Sequence, residues 1–220
     1  MKKLTLILLF ILISATLYGQ SSRGIDVSRY QKSISWSKVK AANVGFVYIK
    51  ATEGSTLKDS RFESNFSGAK SAGLEVGVYH FFRMTSSPYK QFENFKRAIG
   101  SKKMDLIPMV DVEVRDGHSK ASLQKNLDIF ISLVKQHYGC VPMIYSSQVF
   151  YNKYLAPKYN RYHLYLGRYN KIPPTITGKG TYTIWQYTES GKINGISTAV
   201  DICRFHPNHS LNSIRLKKRS

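Results

Sequence analysis

The sequence predicts an α/β fold, an irregular, flattened (β/α) TIM-like barrel with helices mainly in the first two thirds of the chain. Three observations lead there. Eight apolar runs of strand length recur along the 220 residues. Several are continuously apolar, as expected for parallel strands covered on both faces. Stretches of helical period separate the early runs but vanish beyond about residue 159, where strands follow one another through shorter turns.

The strand runs are residues 24–27, 45–51, 76–82, 106–113, 141–146, 162–169, 182–187 and 199–205. Between the fourth and fifth, Leu123, Leu127, Phe130 and Val134 recur at helical spacing and line one face. Phe92, Phe95 and Ile99 do the same behind Ser87, a candidate cap, and Pro88 at the first helical position. An open doubly wound sheet is the structural alternative. No linker, internal repeat or second module is visible.

Residues 1–19 read as a signal peptide, with Lys2 and Lys3 ahead of a short apolar stretch and then small and polar residues. The apolar stretch is shorter than the ~20 residues of a membrane span. The expected product is a secreted or periplasmic monomer without a stable membrane span, built as a barrel domain over residues 20–205 and a basic tail over 206–220. Export permits a disulfide. Cys140 and Cys203 each adjoin an apolar run, which suits a bridge or two buried thiols equally.

Composition excludes disordered, collagen-like, coiled-coil and multi-spanning classes: 42% of residues are hydrophobic and 13% aromatic. Against 33 Lys and Arg stand only 13 Asp and Glu, a formal net charge of +20. Nucleic-acid binding is not expected, because the basic residues are dispersed apart from Lys217-Lys218-Arg219.

The scarce acids are the sharper signal. Asp26 ends the first run, Asp111 and Glu113 end the fourth, and Asp201 lies in the last. An unpaired charge in an apolar strand is costly. Residues i and i+2 of a strand share a face, so Asp111 and Glu113 project together. Closing the sheet makes the first and last strands neighbours and brings Asp26 towards Asp201. In barrels the C-terminal strand ends build the site, so all four converge on one mouth. Crowded carboxyls push their pKa values apart, the requirement for cleaving a glycosidic bond. No His pattern accompanies the acids, and neither a metal nor a cofactor is expected. The aromatic and amide residues Tyr79, His80, Phe81, Tyr145, Tyr165, Trp185, Gln186 and Tyr187 are candidate sugar contacts.

These residues together resemble glycoside hydrolase family 25, the secreted N-acetylmuramidases. Gly24-Ile25-Asp26-Val27-Ser28 is similar to that family's first strand, and Phe46-Val47-Tyr48-Ile49-Lys50-Ala51-Thr52-Glu53-Gly54 to its second strand and loop. Tyr79-His80-Phe81, Pro108-Met109-Val110-Asp111-Val112-Glu113 and Ile184-Trp185-Gln186-Tyr187 with Val200-Asp201 follow in order. The resemblance implies hydrolysis of the β-1,4 bond between N-acetylmuramic acid and N-acetylglucosamine. Glu113 would be the general acid and Asp111 its assistant, with Asp26 and Asp201 tuning the pair. Tyr165 stands where relatives often carry Trp, Gly167 where Ala is usual, and Glu189 is an added carboxylate of open effect. The alternatives are a non-catalytic wall-polysaccharide-binding protein and a chitinase-like hydrolase on the same scaffold. Peptidoglycan and anionic bacterial envelope polymers are the expected partners of so basic a chain.

Overall fold

A computed structural model describes residues 23–217. The expected signal peptide lies outside the described residues. Among the described residues nine strands are formed: β1 (Arg23–Val27), β2 (Phe46–Glu53), β3 (Leu57–Lys58), β4 (Glu75–Phe81), β5 (Met109–Asp111), β6 (Met143–Ser147), β7 (Leu164–Gly167), β8 (Ile184–Gly191) and β9 (Val200–Phe205). Eight close a barrel in the order β1-β9-β8-β7-β6-β5-β4-β2, with β1 pairing back onto β2, while β3 is a two-residue addition beside β2.

The strands from β1 through β8 that form the barrel run parallel to their sequential neighbours in the wall. β9 is antiparallel to both β8 and β1, a departure from the parallel pattern read off the apolar runs. The reason is connection length: residues 192–199 are too few for a parallel crossover, which needs a dozen or more residues.

Four helices cover the early strands: α1 (Trp36–Ala41), α2 (Phe62–Ser71), α3 (Pro88–Ile99) and α4 (Lys120–Tyr138). Pro88 opens α3 at a position whose N–H needs no partner, while the Ser87 side chain makes no capping bond. Ser119 caps α4 by accepting from the Ser122 N–H, and Gly139, at φ 75°, ends it. Leu123, Leu127, Phe130 and Val134 are buried along one face of α4, as their spacing predicts. Between β6 and β7 stand a short helical segment and a π-helical turn, Gln148–Phe150 and Tyr151–Leu155, and a 3-10 turn, Leu211–Ile214, follows β9.

Two apolar layers result. One lies between the barrel wall and the helices, around Phe82, Phe95 and Phe130. The other fills the barrel with Phe46, Tyr48, Met109, Met143, Tyr165 and Ile184. Leu211 and Ile214, from the segment assigned to a basic tail, belong to this inner layer. The Ile107 and Leu216 amides hydrogen-bond to Ile214 and Asp105 carbonyls. A boundary at residue 205 therefore does not separate body from tail: three apolar side chains among the lysines and arginines plug the barrel's base. Cys140 and Cys203 are not joined by a disulfide.

Candidate active site

The C-terminal ends of the parallel strands, joined by the N-terminal end of antiparallel β9, open into a cleft of about 260 Å³ lined by Asp26, Asp111, Glu113 and Asp201, the four acids singled out by position. Asp26 and Asp201 are direct partners across the β1–β9 ladder. Asp111 pairs laterally with Phe81 on one side and Tyr145 on the other. Glu113 follows β5 on the face set by Asp111. Tyr79, Phe81, Tyr145 and Gln186 join them in the lining.

Asp26 is anchored from below. Its Oδ2 accepts a hydrogen bond from the Tyr165 hydroxyl and another from Gln186 Nε2 at 3.1 Å. Gln186 Oε1 in turn accepts from Tyr145 at 2.6 Å and from Tyr169 at 2.9 Å. A Cβ on Gly167 would lie 2.9 Å from the Tyr145 hydroxyl and 3.2 Å from Gln186 Oε1. Glycine in place of alanine thus leaves room for this network. Asp26 Oδ1 and Asp111 Oδ1 are buried without a hydrogen-bond partner among the described residues.

Burial and mutual repulsion raise the pKa values of these acids. Burial, then Asp201, pushes Asp26 up to about 8, against the pull of its two hydrogen bonds. Asp201 rises to about 7 through burial, Glu189 and Glu113. Asp111 and Glu113 titrate as a pair, and both lie above the ordinary carboxyl range, chiefly through burial. Lys50 opposes the rise in both members of the pair.

Four of the residues expected to touch sugar stand elsewhere. His80 is fully buried between the wall and the helices, stacked on Phe130 at 4.9 Å. Its Nε2–H donates to Gln91 Oε1 and its Nδ1 accepts from Thr52. Alternation explains this: Tyr79 and Phe81 face inward, so His80 faces outward. Trp185 and Tyr187 flank inward-facing Gln186 and likewise point out, where Arg204 lies over both rings. Tyr165 points in but is fully buried beneath the cleft, where it serves Asp26 and offers no face to a ligand.

Of the other lining residues, Glu189 was noted in the sequence without a role, and Tyr30 and Tyr169 were not singled out. Tyr30 and Tyr169 stand exposed on the rim, and Glu189 contributes its carboxylate. Among the described residues Lys50 is the one Lys or Arg in the lining. The available signal was a cation inside the apolar run 46–51, two residues from inward-facing Tyr48.

Among the described residues no group of His, Cys, Asp and Glu is arranged to hold a metal ion, and no helix is long and apolar enough to cross a membrane. The glycosyl hydrolases family 25 profile matches residues 25–196. An autolytic lysozyme of Clostridium acetobutylicum is 34% identical over 183 residues, 83% of this chain and 55% of that protein. Lysozyme M1 of Streptomyces globisporus is 33% identical over 199 residues, 84% of this chain and 67% of that protein. The crystal structure of a bacterial lysozyme from Streptomyces coelicolor superposes with a TM-score of 0.80 at 31% identity, covering 89% of this chain and 96% of that one.

Proposed function

The chain belongs to glycosyl hydrolases family 25, and on that premise we propose that it is a secreted muramidase. The reaction is hydrolysis of the β-1,4 bond between N-acetylmuramic acid and N-acetylglucosamine in peptidoglycan. The observation that carries this reading is the convergence of Asp26, Asp111, Glu113 and Asp201 on one cleft.

Glu113 is the general acid. It is more open to the cleft than Asp111, and its raised pKa keeps a proton available where an ordinary glutamate has lost it. That proton passes to the glycosidic oxygen as the C1–O bond breaks. The substrate's own 2-acetamido carbonyl oxygen attacks C1 from the opposite face, a substrate-assisted retaining route. Asp111 supports it by accepting the acetamido N–H at its unpartnered Oδ1. Water then opens the cyclic intermediate and yields its proton to Glu113. Asp26 holds its own proton on Oδ1, since Oδ2 already accepts twice. Tyr30, Tyr79, Phe81 and Tyr169 offer ring faces and hydroxyls to the glycan. Anionic envelope polymers are drawn to the basic exterior.

The test is Glu113→Gln against purified peptidoglycan. The variant should melt like the parent but release reducing ends at least about 10³-fold more slowly, a loss of the order of a removed general acid. Mass spectrometry of the parent's products should find N-acetylmuramic acid at the new reducing ends. Full activity in the variant, or N-acetylglucosamine at those ends, overturns the assignment.

A further inference from the structure

Lys50 and Glu53 are three residues apart in β2, which in a regular strand sends them to opposite faces. Here they meet: Lys50 Nζ lies 2.7 Å from Glu53 Oε2. The cause is a bulge. Lys50 pairs with Tyr79, but Thr52, not Ala51, pairs with His80, and Glu53 pairs with Phe81. The extra residue turns Glu53 to the inward side with Lys50, while Thr52 goes outward with His80. Bulges that re-aim side chains are characteristic of sites.

The ammonium is held on a further side, and its partner Glu53 is held in turn. The ammonium lies 4.9 Å from the centroid of the Phe81 ring, and Phe81 is the lateral neighbour of Asp111. Glu53's second oxygen, Oε1, accepts from Arg83 at 3.0 Å. Arg83 is itself forked onto Asp116 by bonds of 3.1 and 2.8 Å, and Asp116 also accepts from the Met84 amide. A chain of alternating charge thus runs from the turn at Asp116 into the cleft and ends on Lys50. The side chains of Lys50 and Glu53 are 11% and 25% exposed, so solvent screens them weakly.

We propose that Lys50 is a positioning residue of the hydrolytic site: its ammonium, clamped by Glu53 and through it by Arg83 and Asp116, sets the charge carried by the Asp111–Glu113 pair. This rests on the roles proposed above for those two acids. A cation fixed at the mouth favours the ionised form of both acids, against the burial and neighbouring carboxyls that hold their pKa values up. Glu53 tempers that cation. The other titratable groups facing the pair are carboxyls, Asp26 on β1, Asp201 on β9 and Glu189 on β8, and each opposes the pair's ionisation wherever it is itself charged. The phenols of Tyr79 and Tyr145 are neutral at working pH. Among the described residues Lys50 is therefore the one positive charge in the lining.

The test is the pH dependence of kcat/KM on peptidoglycan for the parent chain, Lys50→Met, Lys50→Arg and Glu53→Gln. Losing the cation disfavours both ionised carboxylates, so Lys50→Met should move both limbs to higher pH, by roughly one unit. Losing the anion strengthens Lys50, so Glu53→Gln should move the acid limb the opposite way. Lys50→Arg should restore the parental profile. Lower rates with unmoved limbs, or shifts of the same sign in both variants, overturn the proposal. If Lys50→Met does not fold, the direction of the Glu53→Gln shift decides alone. A parent chain without hydrolysis at any pH would instead remove the catalytic reading itself.

Discussion

Replacing Asp26 by Asn should stabilise the fold in mildly alkaline solution while impairing the reaction. In the native protein Asp26 keeps its proton up to about 8, whereas the unfolded chain loses it near the ordinary 3.8. The sign follows from linkage: a carboxyl raised on folding contributes its stability below the unfolded pKa, and that contribution is lost as pH rises from about 4 to about 8. At 1.36 kcal/mol for each pH unit, the gap sets a ceiling of about 6 kcal/mol. Relaxation of the protein around a buried charge lowers the cost below this ceiling, so half of it, about 3 kcal/mol, is the working figure. An Asn at this position keeps the geometry. Its oxygen accepts from Tyr165 and Gln186 as Oδ2 does now, and its amide takes the place of Oδ1, which has no partner among the described residues. At about 2–4 °C per kcal/mol for a chain of this size, the melting temperature at pH 8 should rise by about 6–12 °C. The assay is thermal unfolding followed by circular dichroism at pH 4, 6 and 8. The difference between variant and parent should be small at pH 4 and widen to pH 8. A variant no more stable than the parent at pH 8, or a pH-independent difference, refutes the claim that burial holds Asp26 protonated.

Tyr165→Phe removes one of the two donors to Asp26; it should cost about 1–2 kcal/mol of stability, measured by denaturant unfolding, and lower kcat with little change in wall binding. His80→Gln should destabilise by about 2 kcal/mol, since it breaks a buried hydrogen-bonded and stacked site, yet leave both limbs of the pH–rate profile in place because His80 faces away from the cleft. Its deficit should narrow as pH falls from about 6.5 to about 4, because the buried imidazole of the parent, held down to about 4, loses its contribution over that window. With a net charge of +20, initial rates on whole walls should fall when ionic strength rises from about 0.01 to about 0.1 M and the screening length contracts from about 30 to about 10 Å; rates that stay flat would remove the charge from the encounter step.

The eight barrel strands, the helices between the early ones and the four acids could be read directly from residue order. Each depends on local rules: strand-length apolar runs, helical spacing in α4, and a charge placed where an apolar strand has no use for it. The spacing of Asp111 and Glu113 even carried their shared face. What sequence did not yield was which face is which. Strands covered on both sides lack the polar and apolar alternation that marks an inside, so His80, Trp185 and Tyr187 looked equivalent to Tyr79, Phe81 and Gln186. Closure of the barrel separates them, sending the first three against helices and loops. The same closure makes the strand-end acids one buried cluster and so sets their protonation. The β2 bulge, which joins Lys50 to Glu53, is a register property of two strands and is written in neither alone. Leu211 and Ile214 were hidden in a basic stretch because their value is to plug a base that exists only once the barrel has formed. Local chemistry determined the elements and the acids; long-range pairing decided inside from outside, and with it which carboxyls can hold a proton.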